Sequence, residues 1–247
     1  MIKNSFIHLQ GVGPKTERNI WRKGITDWNS FLSYNRAVIS SGKDKLIRMQ
    51  LEDSIAHYGD IEYFAERLPP SDKWRMFGDF KERSVYLDIE TSGDYGGVDL
   101  ITMIGLYDGD RTYNFINGQN LQEFEIAVSN YDLIITFNGS SFDLPIIKKF
   151  FPNISLPAGH IDLKFLLKRL GFRGGLKKIE KELGISRDAD VEGMNGFDAV
   201  RLWRAYTWGD RNALDILVKY NTADIVNLKP LMEYGFKKMR QSLMSFL

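Results

Sequence analysis

The strongest constraint on this chain is a change of pattern at Arg83. From there, four short runs rich in β-branched and aromatic residues follow one another, each bounded by glycine, aspartate or asparagine. These runs cover residues 84–90, 100–107, 112–116 and 132–137. Three strands in series, a helix over residues 121–128, a fourth strand and then mostly helical sequence predict an α/β domain in which helices cover a sheet.

The first third of the chain is predicted to be helical. Residues 16–23, 27–34 and 45–68 carry apolar residues without an alternating pattern. The Pro69-Pro70 pair that follows ends a helix, because proline has no amide hydrogen to donate. We therefore predict a small helical N-terminal domain, residues 1–80, and an α/β domain, residues 81–247, which finishes with a long helix from Arg211 towards Met244.

The composition limits which metal ligands and which partners the chain can have. The 247 residues include no cysteine, which excludes disulfides and thiolate metal sites and favours hard ions such as Mg²⁺ or Mn²⁺ for any metal. The chain has no apolar run of about eighteen residues and no apolar segment near its start, so we expect a cytoplasmic protein without a membrane partner. Its 33 Lys+Arg against 32 Asp+Glu lack the basic excess typical of phosphate-tracking proteins.

The first chemical motif is Asp88-Ile89-Glu90, at the end of a predicted strand. Residues two apart in a strand project from the same face of the sheet, so the two acids stand side by side. Their charges repel unless one acid binds a proton or a divalent cation lies between them. The alternative is that the strand end simply meets solvent.

The second motif runs from Asn138 to Asp143 (NGSSFD), after a predicted strand and before a predicted helix. Ligand sites in open α/β sheets gather beyond the carboxyl ends of strands, and an acid at a helix start can point into that crevice. Asn, Gly and Ser also form helix caps and turns on their own account, which is the alternative interpretation.

The third motif is Tyr220-Asn221-Thr222-Ala223-Asp224, inside the predicted C-terminal helix. Tyr220 and Asp224 are four residues apart and therefore share one helical face. A phenol beside a metal-bound carboxylate can orient an attacking water. The alternative is a core tyrosine with a surface aspartate.

Together the motifs resemble the DEDD superfamily of ribonuclease H-like 3′→5′ exonucleases, in the tyrosine branch that includes the proofreading domain of family-B DNA polymerases. The matching positions are Asp88-x-Glu90, Asn138-x-x-x-Phe142-Asp143 and Tyr220-x-x-x-Asp224. The sister branch has a histidine five residues before its final aspartate, where this chain has Lys219. Among stand-alone proteins the chain is similar to the YprB-type group, which also shares the Gly-His160-Ile-Asp162-Leu and Tyr-Asn-x-x-Asp-x-x-Asn-Leu stretches.

The resemblance implies a fold, a mechanism and a substrate. The fold is a ribonuclease H-like mixed sheet flanked by helices. Two ions, Mg²⁺ or Mn²⁺, would lie among the acids, one held by Asp88, Glu90 and Asp224 and a second shared by Asp88 and Asp143. Tyr220 would hydrogen-bond the nucleophile, and no organic cofactor is implied.

The implied substrate is the 3′ end of a single-stranded nucleic acid, DNA or RNA, with DNA favoured. The alternatives are a structure-selective flap or duplex-end nuclease, an endonuclease of the ribonuclease H kind, and a non-catalytic nucleic-acid-binding module.

Two regions are predicted to contact nucleic acid. In the α/β domain these residues are Thr91, Asn138, Phe142 and Asp162, although Asp162 equally suits a bracing role. Near the N-terminus, Gly11, Gly13 and Lys15 resemble the hairpin of a helix-hairpin-helix element, whose free amide groups can bind a phosphate. A plain turn before a helix is the alternative there. The basic segment 164–181 would either track a strand or form a solvated helix face.

Overall fold

The computed structural model describes residues 1–93 and 100–244, so residues 94–99 and 245–247 of the predicted second domain lie outside the described residues. The chain divides into two compact units. One comprises Met1–Glu82 together with Phe236 and the described residues after it; the other is Arg83–Gly235. The end of the last helix, which the sequence assigns to the second domain, clusters with the first unit because the Phe236 ring packs against Trp74 and Phe77, with centroids 5.9 and 5.5 Å away.

The first unit is helical. Its described helices are α1 (Pro14–Trp21), α2 (Trp28–Ser33), α3 (Ser41–Ala56), α4 (Ile61–Arg67) and α5 (Phe77–Phe80). Residues 45–68, which the sequence predicts to be helical, form two helices, α3 and α4. The Asp60 side chain accepts hydrogen bonds from the backbone amides of Glu62 and Tyr63, so a new helix is capped and begins at that point.

A buried ion pair anchors the core of this unit. Arg75 donates to both carboxylate oxygens of Glu17, at 2.7 and 2.9 Å, and each side chain is only 1% exposed. Glu17 also accepts the backbone amides of Phe6 and Ile7. The unit therefore has a satisfied polar centre within its own apolar core.

The second unit contains a mixed sheet. Its described strands are β1 (Ser84–Thr91), β2 (Ile101–Tyr107), β3 (Thr112–Ile116), β4 (Leu133–Thr136) and β5 (Gly159–Asp162), in the order β3-β2-β1-β4-β5. The first three strands pair antiparallel, whereas β1, β4 and β5 pair parallel. The four predicted strands are present. β5 is not among them, because four residues with alternating burial give too short a pattern.

Helices cover both faces of this sheet. They are α6 (Phe124–Val128), α7 (Asp143–Phe150), α8 (Leu163–Arg169), α9 (Leu176–Glu182), α10 (Gly196–Thr207) and α11 (Arg211–Met244). Leu87 and Ile89 of β1 belong to one core cluster with Phe124 and Ile147, from α6 and α7. A second cluster joins Met103 of β2 to residues of α10 and α11. The result is the mixed sheet flanked by helices that the resemblance implies.

No helix within residues 1–93 and 100–244 is long and apolar enough to cross a membrane.

Candidate active site and metal centre

Strand β1 carries the first two acids. Asp88 and Glu90 alternate with the core residues Leu87 and Ile89, so they point to the sheet face covered by α10 and α11. The pairing of β1 with β4 ends at Tyr86, which leaves the rest of that edge of β1 open. The β1–β2 register then shifts after Glu90. The acids therefore lie where the sheet begins to open.

Helix α11 brings the third motif to the same place. Asp224 lies beside Asp88 and Glu90, and each of the three offers a ligand oxygen within 4.8 Å of the others. Tyr220, one helical turn earlier, is 5% exposed and packs in the cluster with Met103. Glu90 and Asp224, which are 134 positions apart in sequence, thus belong to one acidic group, because α11 lies across β1 and β2.

Asp143 joins the group from another direction. It is the first residue of α7, as the sequence predicts, and is 3% exposed. Its Oδ1 accepts the backbone amide of Ile89 at 3.2 Å, on the edge of β1 that β4 leaves unpaired. Its charge acts directly on the pKa of Asp88. The four acids expected from the motifs are therefore brought together.

The loop before Asp143 is held by Asp162, the last residue of β5. One Asp162 oxygen accepts the amides of Asn138 and Lys164, and the other accepts the amide and hydroxyl of Ser140. Asn138 has a φ of +68°, which asparagine tolerates better than most residues. A Cβ on Gly139 would lie 2.3 Å from the Thr136 hydroxyl, so only glycine fits the turn.

All four acids have raised pKa values, first because they are removed from water and then because charges lie close to them. Burial raises the pKa of Asp88 well above its usual value, and the charges of Asp143, Asp224 and Glu90 raise it further. Burial and then the Asp224 charge raise the pKa of Glu90 to about 8. Burial also raises the pKa of Asp143 to about 7 and, against the opposing effect of Arg187, that of Asp224. Such a cluster strongly favours a proton or a cation.

Two basic residues that sequence reasoning did not place here partly offset this charge. Arg187, in the loop after α9, donates to Asp224 Oδ1 at 2.5 Å and forms two hydrogen bonds with Glu180, each 2.7 Å long. Lys177 donates to the Tyr220 hydroxyl at 2.6 Å and to the carbonyl of Met194. Lys177 belongs to the basic segment 164–181, for which phosphate contact or a solvated helix face is predicted from the sequence. No local pattern marks Arg187, whose role depends on folding.

Asn221 is a further residue whose contacts the sequence did not predict. Its amide nitrogen lies 3.0 Å from Asp88 Oδ2 and 3.5 Å from Glu90 Oε1. The sequence feature that could have indicated these contacts is the position of Asn221 next to Tyr220 and three residues before Asp224, which places it near the same helical face.

The donor set fits a hard divalent cation. Three converging carboxylates, without sulfur and with a fourth acid nearby, are the oxygen ligands that Mg²⁺ and Mn²⁺ prefer. A cation would also offset the burial and the mutual repulsion that favour the protonated form of these acids.

The remaining predicted contact residues lie in several places. Thr91 ends β1 just beyond the register shift, and Phe142, 41% exposed, precedes Asp143. In the first unit, Gly11 has a φ of +82° and Gly13 caps α1, whose first residue is Pro14. Lys15 is exposed in the first turn of that helix.

The sheet order, the acid-bearing strand and the acid-bearing C-terminal helix define a ribonuclease H-like domain. The profile described as the RNase_H superfamily matches residues 85–235, more than half of the chain. The chain belongs to this superfamily. None of the curated proteins matches the chain in sequence.

Several solved structures are similar to this chain. A family B DNA polymerase from the archaeon Pyrobaculum calidifontis is 17% identical with a TM-score of 0.50, covering 61% of this chain and 24% of the polymerase. Escherichia coli RNase D, an exoribonuclease, is 17% identical with a TM-score of 0.44, covering 72% and 48%. Brucella melitensis NrnC with bound Mg²⁺ is 21% identical with a TM-score of 0.43, covering 69% and 83%. This chain therefore spans about a quarter of the polymerase and about half of RNase D.

Proposed function

We propose that this protein is a metal-dependent nuclease that removes nucleotides from the 3′ end of single-stranded nucleic acid, with DNA as the favoured substrate. The observation that carries the proposal is the group formed by the half-buried Asp88 and the buried Glu90 and Asp224, whose ligand oxygens lie within 4.8 Å of one another. Asp143 stands beside it. Stability alone gives no reason to gather four acids in one place, whereas phosphodiester hydrolysis by divalent cations does.

The protein groups have distinct tasks in this proposal. Asp88, Glu90 and Asp224 would hold one cation, and Asp88 and Asp143 would hold a second. Bound there, two divalent cations would acidify the attacking water and stabilise negative charge on the phosphoryl oxygens and the departing 3′ oxygen. In the reaction, the oxygen of a water would bond to phosphorus as the P–O3′ bond breaks, and the proton lost by this water would end on the departing 3′ oxygen. The products would be a nucleoside 5′-phosphate and a strand with a new 3′-hydroxyl.

Tyr220 would orient the water by donating a hydrogen bond. Burial and then the Asp224 charge raise the pKa of Tyr220, so the phenol keeps its proton at neutral pH. Lys177 already donates to the oxygen of this phenol, which leaves the phenolic hydrogen free to point at another acceptor. A base role for Tyr220 does not fit this arrangement.

The residues proposed to contact the substrate in the second unit lie close to the acidic group. We assign nucleobase contact to Phe142, which is exposed beside Asp143, and strand contact to Thr91 and Asn138. Asp162 is better suited to bracing, since both of its oxygens already accept hydrogen bonds. We also propose that the exposed turn of Gly11, Gly13 and Lys15 contacts phosphate through backbone amides, as a helix-hairpin-helix element would.

The test compares the parent with Asp88→Asn on 5′-labelled single strands of DNA and RNA. Each strand is used with a free or a blocked 3′ end, in Mg²⁺, Mn²⁺ or EDTA. The free end should be shortened stepwise in either metal and spared in EDTA, with cleavage reduced at least about a hundredfold in Asp88→Asn. Asp215→Asn, an exposed acid on α11, is the matched control and should cleave like the parent.

Each alternative gives a different result. Cleavage of blocked strands would indicate an endonuclease. If the single strands are spared but flap and duplex-end substrates, tested in parallel, are digested, the enzyme is structure-selective. Binding without cleavage in any metal would indicate a non-catalytic module. If Asp88→Asn cleaves as fast as the parent, the assigned site is wrong.

A further inference from the structure

Asn221 links helix α11 to the acids of strand β1. Its side chain is fully buried, and its single amide nitrogen contacts both Asp88 Oδ2, at 3.0 Å, and Glu90 Oε1, at 3.5 Å. Two neighbouring carboxylates that share one donor have their orientations fixed relative to each other. Asp224 lies three residues further along α11, so the same contact also sets its height relative to β1.

The oxygen side of the Asn221 amide packs against strand β2 at Gly105, where there is no side chain. Gly105 is paired with Asp88 in the β1–β2 ladder. A Cβ at Gly105 would lie 1.9 Å from Asn221 Oδ1, 3.0 Å from Asn221 Cγ and 3.1 Å from Ile225 Cδ1. The backbone of Gly105 does not have the positive φ that favours glycine. Space for the Asn221 side chain is therefore the reason for glycine at this position.

The arrangement is costly as packing alone. Asn221 Oδ1 is buried and has no hydrogen-bond partner among the described residues. An unpaired buried acceptor is unfavourable, and an apolar side chain of similar volume would avoid it. The contacts with Asp88 and Glu90 are what an apolar side chain could not provide.

We propose that Asn221 and Gly105 form a positioning pair for the metal centre. Gly105 leaves room for the amide, and the amide aligns Asp88 and Glu90 so that their remaining oxygen lone pairs face a common cation. This inference rests on the proposed metal-dependent function. It assigns Asn221 no contact with substrate, since Asn221 acts through the two acids.

The test uses four variants: Asn221→Ala, Asn221→Leu, Gly105→Ala and the double variant Gly105→Ala/Asn221→Ala. Asn212→Ala, an exposed residue of α11, controls for asparagine replacement in this helix. Gly196→Ala controls for glycine replacement, because a Cβ there would meet nothing within 4 Å. Each protein is titrated with Mn²⁺ by calorimetry, and its Tm is measured in EDTA.

The two asparagine variants should each raise the Kd for Mn²⁺ by about 10- to 100-fold, as expected when a side chain that orients metal ligands is lost. Asn221→Leu should do so while keeping a Tm at or above that of Asn221→Ala, because it refills the volume. Gly105→Ala should lower the Tm and weaken Mn²⁺ binding together, because its Cβ displaces the amide. The double variant should regain the Tm of Asn221→Ala and keep its weak Mn²⁺ binding.

Several results would overturn the pairing. Parent-like Mn²⁺ affinity in Asn221→Leu would mean that the residue only fills space. A Tm for Gly105→Ala equal to that of Gly196→Ala would remove the steric argument, as would a double variant no more stable than Gly105→Ala. If the parent itself binds no Mn²⁺ and cleaves nothing, the proposed function fails first, whereas the Tm comparison still reports on the Gly105–Asn221 contact.

Discussion

Raising the pH from 5 to 8 in EDTA should destabilise the metal-free protein. The pKa of Glu90 is about 8 in the folded protein because of burial and the Asp224 charge, against 4.5 ordinarily. Below pH 4.5 the carboxyl is protonated in both the folded and the unfolded chain, and its full contribution to stability is present. As the pH rises, the unfolded chain loses this proton first, so the free energy of unfolding falls until the pH passes about 8.

The size of the effect follows from the pKa change. A pKa of about 8 instead of 4.5 corresponds to about 5 kcal/mol for Glu90 alone. Asp143, with a pKa raised by burial to about 7 from 3.8, acts in the same direction and loses its contribution by about pH 7. The two acids are neighbours, so their effects do not add fully. A loss of several kcal/mol is a large part of the stability of an ordinary domain.

The assay is urea unfolding at pH 5, 6, 7 and 8, followed by far-ultraviolet circular dichroism, in EDTA and in excess Mn²⁺. The difference in stability between the two conditions should widen as the pH rises, because a cation binds the ionised acids. A Glu90→Gln variant should show a shallower pH dependence in EDTA. Stability in EDTA that is constant or rises between pH 5 and 8 would refute the view that these acids are crowded and protonated without metal.

Two further predictions concern the buried ion pairs. Arg187→Gln should lower the free energy of unfolding in EDTA at pH 7 by about 3–5 kcal/mol, because Asp224 and Glu180 lose a shared partner. Adding Mn²⁺ should stabilise this variant more than it stabilises the parent. Parent-like urea unfolding curves in EDTA would contradict this prediction. Glu17→Gln should lower the free energy of unfolding by about 1–3 kcal/mol, because the buried Arg75 then keeps only the Asp72 carboxylate as its ionic partner. The Kd for Mn²⁺ should stay unchanged in calorimetry, and a changed Kd would show that this ion pair also supports the metal site.

The acids themselves could be predicted from sequence because each lies at a recognisable position in its element. Asp88 and Glu90 are two apart in a strand, Asp143 follows a strand and begins a helix, and Tyr220 and Asp224 are four apart in a helix. Local periodicity fixes these relations. That the three motifs meet is implied by the resemblance that they carry together.

The residues that stabilise the acids could not be predicted in this way. Arg187 lies in a loop and reaches Asp224 across 37 positions of sequence, and Lys177 reaches Tyr220 across 43. Such contacts depend on where α9 packs, which no local pattern encodes. Gly105 is similar: its role follows from a side chain on another element, and in sequence it is one glycine within an apolar strand.

Local signals also failed in two elements of the fold. The apolar spacing of residues 45–68 does not change at the break between α3 and α4, which is marked by Gly59 and by the cap at Asp60. The four residues of β5 gain their strand geometry from pairing with β4, not from their own composition.

The short length of β4 has a consequence for how such a site could be built or abolished. Because β4 stops pairing with β1 at Tyr86, the amide of Ile89 is left for the Asp143 carboxylate to occupy. A longer β4 would satisfy that amide by itself and complete the ladder, and the crevice would be lost although every acid was still encoded. A redesign of this scaffold that is meant to keep the site must therefore keep the length of β4 as well as the acids.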